Sequence, residues 1–263
     1  MYEPSWDSSH AARWADALDQ NNSMKSVADI AAVLFDKDGT LIGYDASWGP
    51  VNRELAAIAA EGDAELADRL LLACGMDPVT GHVKPDSLLA AGNTAEIAAG
   101  LIAAGSPCAL QPLTERLDRL FTEAAGKSVA VTDLQAFFGR LKDRGYKLGV
   151  ASSDNEASIR ELAKRFGFDV YLDFVAGYDS GHGVKPQPGM VLGFCEATGL
   201  KPEQVAVVGD NNHDLHMGRN AGAGLRIGVL TGTGSRESLA ADGDYCFDDI
   251  TGLEALLPNR AFV

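Results

Sequence analysis

The chain changes character abruptly within Val33-Leu34-Phe35-Asp36-Lys37-Asp38-Gly39-Thr40-Leu41. An apolar run from Ile30 to Phe35 has the length of a buried strand, and it ends at two carboxylates and a glycine. Because side chains two apart on a strand point the same way, we expect Asp36 and Asp38 to share one side, with Lys37 on the other. Ligands of open parallel sheets bind beyond the carboxyl ends of the strands. The pair therefore indicates either a site or a solvated acidic turn.

Length and composition indicate a globular chain with a substantial core. The 263 residues can bury roughly 70% or more of the surface of the unfolded chain. Charged residues make up 22%, which argues against disorder, and no apolar run approaches the ~20 residues of a membrane helix. The net charge of -15 would repel nucleic acid and anionic membranes, so neither is expected as a partner. An anionic small substrate would then need local cations or a metal ion.

The cysteines and the N-terminus favour a cytoplasmic protein. The cysteines are too scattered for a zinc motif or a disulfide framework; they are Cys74, Cys108, Cys195 and Cys246. The first 23 residues lack the apolar core of a secretory signal, although residues 11–18 could form one short amphipathic helix. We therefore predict reduced thiols and an N-terminal extension over residues 1–27, with Met24 as an alternative translation start.

A long helical stretch follows the opening strand. From about Asp45 to Lys127 no strand is predicted, whereas apolar residues recur at helical spacing. Asn93 followed by Glu96 has the pattern of a capping box, and Asp77 to Leu89 is predicted to be an ordered loop. The predicted helices are Val51–Ala60, Ala64–Cys74, Asn93–Ala104 and Leu113–Ala125. We interpret this stretch as an all-helical insertion.

Helices and strands alternate from Thr132 onward, which is typical of a parallel sheet with crossover helices. The predicted strands are Lys147–Ser152, Val170–Gly177, Gln204–Gly209 and Leu225–Leu230. The predicted helices are Leu134–Asp143, Asn155–Phe166, Gly189–Ala197, Asp214–Ala221 and a tail near Leu253–Leu257. The strand that begins at Ile30 joins the same sheet. The predicted fold class is therefore α/β, with the helical insertion interrupting the sheet.

Two hydroxyl groups follow the strand that begins at Lys147. Ser152 is its last residue, and because a hydroxyl there can donate to a phosphoryl oxygen, Ser152 is a candidate for substrate binding. Ser153 lies three residues before Glu156, and we predict that this pair forms the capping box of the next helix. Ser153 stays a second candidate for contact with the substrate.

Lys185 and two acids follow later strands. Lys185 precedes a predicted helix N-terminus, where backbone N–H groups favour an anion, although a lysine in a loop can equally be a solvated charge. Asp210 follows the apolar run that ends at Gly209. Oxygen ligands from Asp36 and Asp210 on adjacent strand ends would suit Mg²⁺. Asp214 is either a further acid of this site or a helix residue stabilised by the dipole.

Together, these motifs resemble the haloacid dehalogenase-like hydrolase superfamily. The resemblance rests, in order along the chain, on Asp36-Lys37-Asp38-Gly39-Thr40, Ser152, Lys185 and Gly209-Asp210-Asn211-Asn212-His213-Asp214. It covers about Ile30 to Leu230 and is closest to the phosphoglycolate-phosphatase-like members. It implies a Rossmann-like catalytic core at residues 28–44 and 129–263, with an all-helical cap at residues 45–128 inserted after the first motif.

The resemblance also implies a role for each matched residue. Asp36 would be the nucleophile that takes the phosphoryl group as an aspartyl phosphate, and Asp38 would be the general acid and base. Ser152 and Lys185 would hold and neutralise the phosphoryl oxygens. The family resemblance thus assigns four catalytic residues to this chain.

A magnesium site is implied in the same way. The carboxylates of Asp36 and Asp210 and the main-chain carbonyl of Asp38 would bind Mg²⁺, with Asp214 in or near the same shell of ligands. The chain has Asn211 where family members often have Ser or Thr. This departure leaves the implied ligand set unchanged.

The implied activity is Mg²⁺-dependent hydrolysis of a small phosphorylated metabolite. Asp38 favours a phosphatase over a haloacid dehalogenase, because a halide leaves without a proton whereas an alkoxide needs one. A sugar phosphomutase keeps both carboxylates and stays an alternative; a non-catalytic phosphate-binding regulatory module would be shorter and lack the insertion. Candidates in the insertion for contact with the leaving group are Trp48, Arg53, His82, Lys84 and Asn93.

Overall fold

The computed structural model describes residues 27–125 and 127–260, so the predicted N-terminal extension, including its short helix, lies outside the described residues except at residue 27. Six strands form one sheet: β1 (Ala32–Phe35), β2 (Lys147–Ala151), β3 (Phe174–Ala176), β4 (Val205–Gly209), β5 (Leu225–Val229) and β6 (Tyr245–Phe247). All neighbours pair in parallel, in the order β3-β2-β1-β4-β5-β6. The predicted α/β class with a parallel sheet is confirmed.

The stretch after β1 contains five helices: α1 (Tyr44–Ala59), α2 (Ala64–Cys74), α3 (Leu88–Ala91), α4 (Thr94–Ala103) and α5 (Leu110–Ala125). We call residues 44–125 the helical block. Its apolar side chains, including Leu55, Leu70 and Leu117, form a cluster separate from those on the sheet. The capping box predicted at the start of α4 is present, because Asn93 and Glu96 exchange hydrogen bonds of 3.0 Å in both directions. The block thus has a core of its own.

Six further helices accompany the sheet: α6 (Leu134–Asp143), α7 (Glu156–Arg165), α8 (Gly189–Thr198), α9 (Asn212–Ala221), α10 (Arg236–Asp242) and α11 (Leu253–Leu256). Strand β1 is buried along its whole length, so its side chains contribute to the hydrophobic clusters on both faces of the sheet. Val33 and Phe35 pack with residues of α6 and α7, whereas Ala32 and Leu34 pack with residues of α8 and α9. Among the described residues, no helix combines the length and apolarity needed to cross a membrane.

Helix α1 begins at Tyr44, earlier than the predicted start at Val51. The prediction began after Pro50, because proline lacks a backbone donor and usually ends a helix. In the structure Pro50 lies inside the helix. Tyr44 and Trp48, one turn apart, are both buried, and this packing outweighs the lost hydrogen bond.

The predicted strand Val170–Gly177 is wrong over its first half. Asp169–Tyr171 is a 3-10 helix, and only Phe174–Ala176 pairs with β2. Val170 is exposed, so the apolar residues that suggested a longer strand do not all face the core. Helix α10 and the half-exposed strand β6 were not predicted, because both are too short to show a periodic pattern of apolar residues.

The two connections to the helical block lie side by side. Gly43 N donates to Val129 O at 3.0 Å, and Ile42 pairs with Ala130 in an isolated antiparallel bridge. The chain therefore leaves and re-enters the sheet region at one place, just beyond the carboxyl end of β1. This arrangement brings the block close to Asp36 and Asp38.

Candidate active site

Three buried carboxylates meet at the carboxyl edge of the sheet. Asp36 follows β1, Asp210 follows the neighbouring strand β4, and Asp214 lies in the first turn of α9. One oxygen of each carboxylate lies within 4.8 Å of an oxygen of each of the others. Oxygen atoms of carboxylates are the ligands that Mg²⁺ prefers, so this set fits a hard cation. The structure thus brings together the three predicted carboxylate ligands.

Lys185 compensates part of this negative charge. Its Nζ donates to Asp36 Oδ1 at 2.5 Å and to Asp214 Oδ1 at 2.6 Å, and its side chain is 2% exposed. The alternative interpretation of Lys185 as a solvated charge is therefore wrong. Burial alone would lower the pKa of Lys185, but Asp214 and Asp36 outweigh burial and raise it. Asp214 also accepts a hydrogen bond from Asn211 N at 3.2 Å, so it stabilises the helix start as well.

Burial changes the titration of the acids. It raises the pKa of Asp36 to about 6, with Lys185 opposing the rise and Asp214 adding to it. The pKa of Asp210 is raised well above its ordinary value, first by burial and then by Asp36 and Asp214. Carboxylates that repel one another at this distance gain when a cation lies between them. The local electrostatics therefore favour cation binding.

Asp38 lines the same cavity as Asp36 and is held from two sides. Its Oδ1 accepts a hydrogen bond from Trp48 Nε1 at 2.8 Å, and its Oδ2 lies 3.1 Å from Lys37 Nζ. Burial raises the pKa of Asp38 to about 6, with Lys37 opposing the rise and Asp154 adding to it. A carboxyl group that titrates near neutrality can both give and take a proton, as general acid–base chemistry requires.

Lys37 is a buried residue to which the sequence analysis gave no role. Strand alternation places it across from Asp38, but its long side chain folds back toward the carboxylate. Lys37 Nζ also donates to Asp154 Oδ2 at 2.7 Å and to Ser158 Oγ at 3.2 Å, and the side chain is 1% exposed. Lys37 thus joins the end of β1 to the start of α7. The sequence did contain a signal for this role: a lysine directly after a buried strand must be paired with an acid if its side chain is buried.

Ser152 lines the cavity, but the capping role predicted for Ser153 is wrong. The N-cap of α7 is Asn155, whose Oδ1 accepts a backbone N–H from the first turn at 2.8 Å. Ser153 also lines the cavity, and its Oγ donates to Ala91 O of the helical block at 3.2 Å. Ser152 Oγ accepts the backbone N–H two residues later at 3.1 Å, so its proton stays available for an acceptor. Amide and hydroxyl side chains cap helices equally well, so the sequence pattern alone could not distinguish the two caps.

The loop Thr231–Gly234 after β5 is a part of the site that the sequence analysis missed. Thr233 donates to Asp210 Oδ2 through its backbone N–H at 2.7 Å and its hydroxyl at 3.3 Å. A Cβ added to Gly39 would lie 2.6 Å from the same oxygen, and one added to Gly232 would lie 1.9 Å from it. These glycines let two loops close around Asp210. The available signal was a Gly- and Thr-rich run directly after a parallel strand.

The helical block and the acids enclose a cavity of about 590 Å³, including its open mouth. From the core it is lined by the acids described above, Ser152, Ser153, Lys185 and His213. From the block the polar and aromatic lining comes from Tyr44, Trp48, Asn52, Thr94 and Phe121. The cavity therefore joins the candidate catalytic groups to side chains of the block.

Arg53, a predicted substrate contact, lies outside this lining. It is exposed, and its guanidinium donates to Pro78 O at 2.8 Å. Asn52 faces the cavity instead, because it lies one turn from Trp48 on the same side of α1. The other candidates outside the lining are His82, Lys84 and Asn93.

Comparison with known proteins gives relatives of the predicted branch. The pyrophosphatase PpaX of Bacillus cereus (strain AH820) is 31% identical over 119 residues, which cover 45% of this chain and 55% of the relative. A phosphoglycolate phosphatase of Haemophilus influenzae is 32% identical over 120 residues, which cover 44% of this chain and 52% of the relative. The chain thus spans about half the length of these curated relatives.

A solved structure has the same fold. CbbY of Rhodobacter sphaeroides in complex with phosphate matches with a TM-score of 0.63 at 19% identity, over 87% of this chain and 99% of that chain. A family model described as a haloacid dehalogenase-like hydrolase matches residues 30–222, which is more than half of the chain. The predicted resemblance is therefore confirmed, and the chain belongs to the haloacid dehalogenase-like hydrolases.

Proposed function

We propose that the protein is a Mg²⁺-dependent phosphatase that hydrolyses a small phosphomonoester through an aspartyl phosphate on Asp36. The observation that carries this proposal is the grouping of Asp36, Asp38 and Lys185 along one cavity, with Lys185 Nζ 2.5 Å from Asp36. The relatives named as phosphatases support the same class of reaction. Four free cysteines support a cytoplasmic location.

Asp36 and Asp210 would hold the Mg²⁺ ion, together with the main-chain carbonyl of Asp38. Asp214 would lie at the edge of this set, because Lys185 and Asn211 N already engage its oxygens. When bound, Mg²⁺ would neutralise phosphoryl oxygens and so reduce the repulsion between the phosphate and the carboxylates.

In the first step, a carboxylate oxygen of Asp36 attacks phosphorus and the bond from phosphorus to the leaving oxygen breaks. Asp38 gives its proton to that oxygen, so an alcohol leaves. In the second step, Asp38 takes a proton from water, the water oxygen attacks phosphorus, and inorganic phosphate departs from Asp36. Lys185 and Ser152 would bind the peripheral oxygens throughout, where positioning and charge carry most of the catalysis.

Asp36→Asn tests the nucleophile. Phosphate release from a panel of phosphomonoesters is measured with excess Mg²⁺ and again with a chelator. Asp36→Asn should lose about a thousandfold or more of kcat, because the amide cannot form the aspartyl phosphate. Asp68→Asn on the exposed face of α2 is the matched control and should keep full activity. Undiminished turnover in Asp36→Asn, or in the presence of chelator, would contradict the proposal.

Asp38→Asn tests the proton transfer and separates a phosphatase from a dehalogenase. General acid–base catalysis is typically worth ~10²–10⁴-fold. The variant should lose that factor on alkyl phosphates, whose leaving group needs a proton, and far less on aryl phosphates. Equal losses on both classes of ester would mean that Asp38 acts only structurally.

A further inference from the structure

The leaving group must lie beside the aromatic part of the cavity. In the proposed function, on which this inference rests, Asp38 reaches the leaving oxygen, and Asp38 is hydrogen-bonded to Trp48 at 2.8 Å. Trp48 packs edge to face on Phe121, with ring centroids 5.0 Å apart, and Tyr44 stacks against it at 6.5 Å. All three rings line the cavity. The carbon skeleton of a leaving group would therefore contact aromatic surface.

Among the described residues, the aromatic part of the cavity is lined by no lysine or arginine. The ammonium group of Lys37 lies 5.4 Å from the centre of the Trp48 ring, but it is already paired with Asp38 and Asp154. Among the described residues that line the cavity, Lys185 is the only lysine or arginine, and two carboxylates already occupy it. His213 also lines the cavity, but it belongs to α9 on the sheet side and not to the helical block. The lining contributed by residues 44–125 contains neither lysine nor arginine. An anionic leaving group would therefore gain no ion pair from the block.

Among the described residues of this wall, the N-terminus of α4 is a feature that could attract an anion. Thr94, its first residue, lines the cavity. However, Glu96 already caps this end, because its carboxylate accepts the N–H of Asn93 at 3.0 Å. The negative charge of Glu96 offsets the positive end of the helix dipole. Asp38 and Asp154 add further negative charge to the cavity wall.

Asn52 supplies a polar contact that suits a hydroxyl group. Its side chain lines the cavity and is 2% exposed. Its Nδ2 donates to Tyr44 Oη at a long 3.5 Å, and its Oδ1 accepts no hydrogen bond from the described residues. A buried amide with this free capacity can accept a hydroxyl proton and donate to a second oxygen. The side chain therefore suits a neutral polar group better than a carboxylate.

We propose that the substrate is the phosphate ester of a small, uncharged, hydroxylated alcohol, with Asn52 binding a hydroxyl of the leaving group. Its carbon skeleton would lie against Trp48 and Phe121. This class differs from pyrophosphate and phosphoglycolate, the compounds in the names of the two relatives, whose leaving groups are anions. The difference lies in the helical block, whose described residues place no lysine or arginine in the cavity lining.

Two esters that differ in a single group test the proposal. In 2-hydroxyethyl phosphate the leaving group ends in a hydroxymethyl group, whereas in phosphoglycolate it ends in a carboxylate. With excess Mg²⁺, kcat/KM should be at least about tenfold higher for 2-hydroxyethyl phosphate, because one mismatched polar contact is worth that much or more. Aryl phosphate hydrolysis is measured beside them as a reference for the chemistry itself.

The outcomes separate this inference from the proposed function. An equal or higher kcat/KM for phosphoglycolate would overturn the inference and leave the phosphatase assignment standing. Failure to hydrolyse any ester, aryl phosphate included, would overturn both, since the inference rests on that assignment. The comparison uses the unaltered protein, so it does not depend on the folding of a variant.

Variants at Asn52 test whether this residue is responsible for the preference for an uncharged leaving group. Asn52→Leu should lower kcat/KM for 2-hydroxyethyl phosphate by about tenfold, because it removes the polar contact but keeps the size of the side chain. Asn52→Lys should raise the ratio of phosphoglycolate to 2-hydroxyethyl phosphate turnover, because it adds a cation to the same wall. Retained far-UV circular dichroism identifies variants that fold. Folded variants with the parental substrate ratio would show that Asn52 does not contact the leaving group, and would overturn its assignment.

Discussion

At the residue scale, buried and exposed ion pairs differ in how much they contribute to the stability of the fold. Lys185, Asp36 and Asp214 are all buried, so each charge is compensated chiefly by the others. The pair formed by Arg219 and Asp242 is 2.7 Å long but half exposed on the arginine side. Exposed pairs typically contribute about 0–1 kcal/mol, whereas loss of one partner of a buried pair costs about 3–5 kcal/mol. Lys185, like the buried Lys37, is therefore an ion-pair residue on which both fold and site depend.

Lys185→Met should reduce both stability and activity. Without the ammonium group, Asp36 and Asp214 keep buried, uncompensated charge, so the free energy of unfolding should fall by about 3 kcal/mol. Loss of its proposed contact with phosphoryl oxygens should lower kcat by at least about a hundredfold. Urea denaturation and phosphate release measure the two effects, and the exposed Lys164→Met is the matched control. If both variants behave alike, the ion pairs of Lys185 contribute little.

The raised pKa values of Asp36 and Asp38 predict how stability depends on pH without metal. Both carboxyl groups titrate at about 6 in the fold and at 3.8 in the unfolded chain. Between these values the folded protein binds more protons, so its free energy of unfolding should fall as pH rises from about 4 to about 6. Groups with lowered pKa values, such as Asp173, bind more protons in the unfolded chain, so they oppose this fall near pH 4 and have little effect as the pH approaches 6.

Urea denaturation in the presence of a chelator, at a series of pH values, measures this slope. Asp36→Asn removes one of the carboxyl groups with a raised pKa and should flatten the profile in this window. A stability that is constant or rises between about pH 4 and 6 would contradict the raised pKa values.

At the element scale, the ends of the central strands were predictable and their partners were not. The predicted ends of β1 at Phe35 and of β4 at Gly209 are confirmed, because a buried apolar run must stop where carboxylates begin. The contact of Lys37 with Asp154 joins residues 117 apart, and no local pattern specifies it. The start of α1 was missed because packing overrides the local preference of Pro50.

The loop after β5 is a second case in which the residue types were visible in the sequence but their contacts were not. Its glycines were visible in the sequence, but their contact with Asp210 depends on the pairing of β4 with β5. A Cβ on Gly232 would lie 1.9 Å from Asp210 Oδ2, a distance that forces the carboxylate to move. The precision of the proposed metal site thus depends on a residue without a side chain.

Gly232→Ala should weaken metal binding more than it weakens the fold. Displacement of Asp210 should raise the Mg²⁺ concentration needed for half-maximal activity by about tenfold, the lower range for a residue that supports a metal ligand. Gly49→Ala is the control, because a Cβ there meets nothing within 4 Å and α1 gains a better helix former. Activity as a function of Mg²⁺ concentration measures the effect. Identical curves for Gly232→Ala and the parent would show that Asp210 does not need this loop.

At the scale of the whole molecule, the helical block contacts the sheet region along α5 as well as across the cavity. Thr122 Oγ1 donates to Asn155 Oδ1 at 3.3 Å, and Asn155 Nδ2 donates to Asp118 at 3.4 Å. Tyr178 Oη donates to Asp118 of α5 at 2.9 Å, Trp48 reaches Asp38, and Ser153 reaches Ala91 O. Both chain connections lie together near Gly43. Paired connections at one end suit a hinged lid, and the hydrogen bonds of α5 and of the cavity wall would break when it opens.

We predict that the block opens and closes over Asp36, and that binding of a phosphate analogue favours the closed form. Hydrogen exchange with Mg²⁺ and orthovanadate should show protection near Tyr44 and Val129 and in the Asp77 to Leu89 loop, with little change in the sheet. Closure would exclude water from the attack on the nucleophile, and such motions commonly take microseconds to milliseconds.

Tyr178→Phe should shift this equilibrium toward the open form, because it removes the hydrogen bond to Asp118 while keeping the ring. The variant should exchange faster in α5 without ligand and regain protection with orthovanadate, while Tyr171→Phe, outside the cavity lining, should match the parent. One neutral hydrogen bond is worth about 0.5–1.5 kcal/mol and one to a carboxylate about 1.5–3 kcal/mol, so the open population should rise by roughly tenfold. If orthovanadate protects only the loops around Asp36 and Asp210, in parent and variant alike, the block is a rigid part of the fold. Substrate selection by Asn52 would then need no motion, because the cavity would already have its final shape.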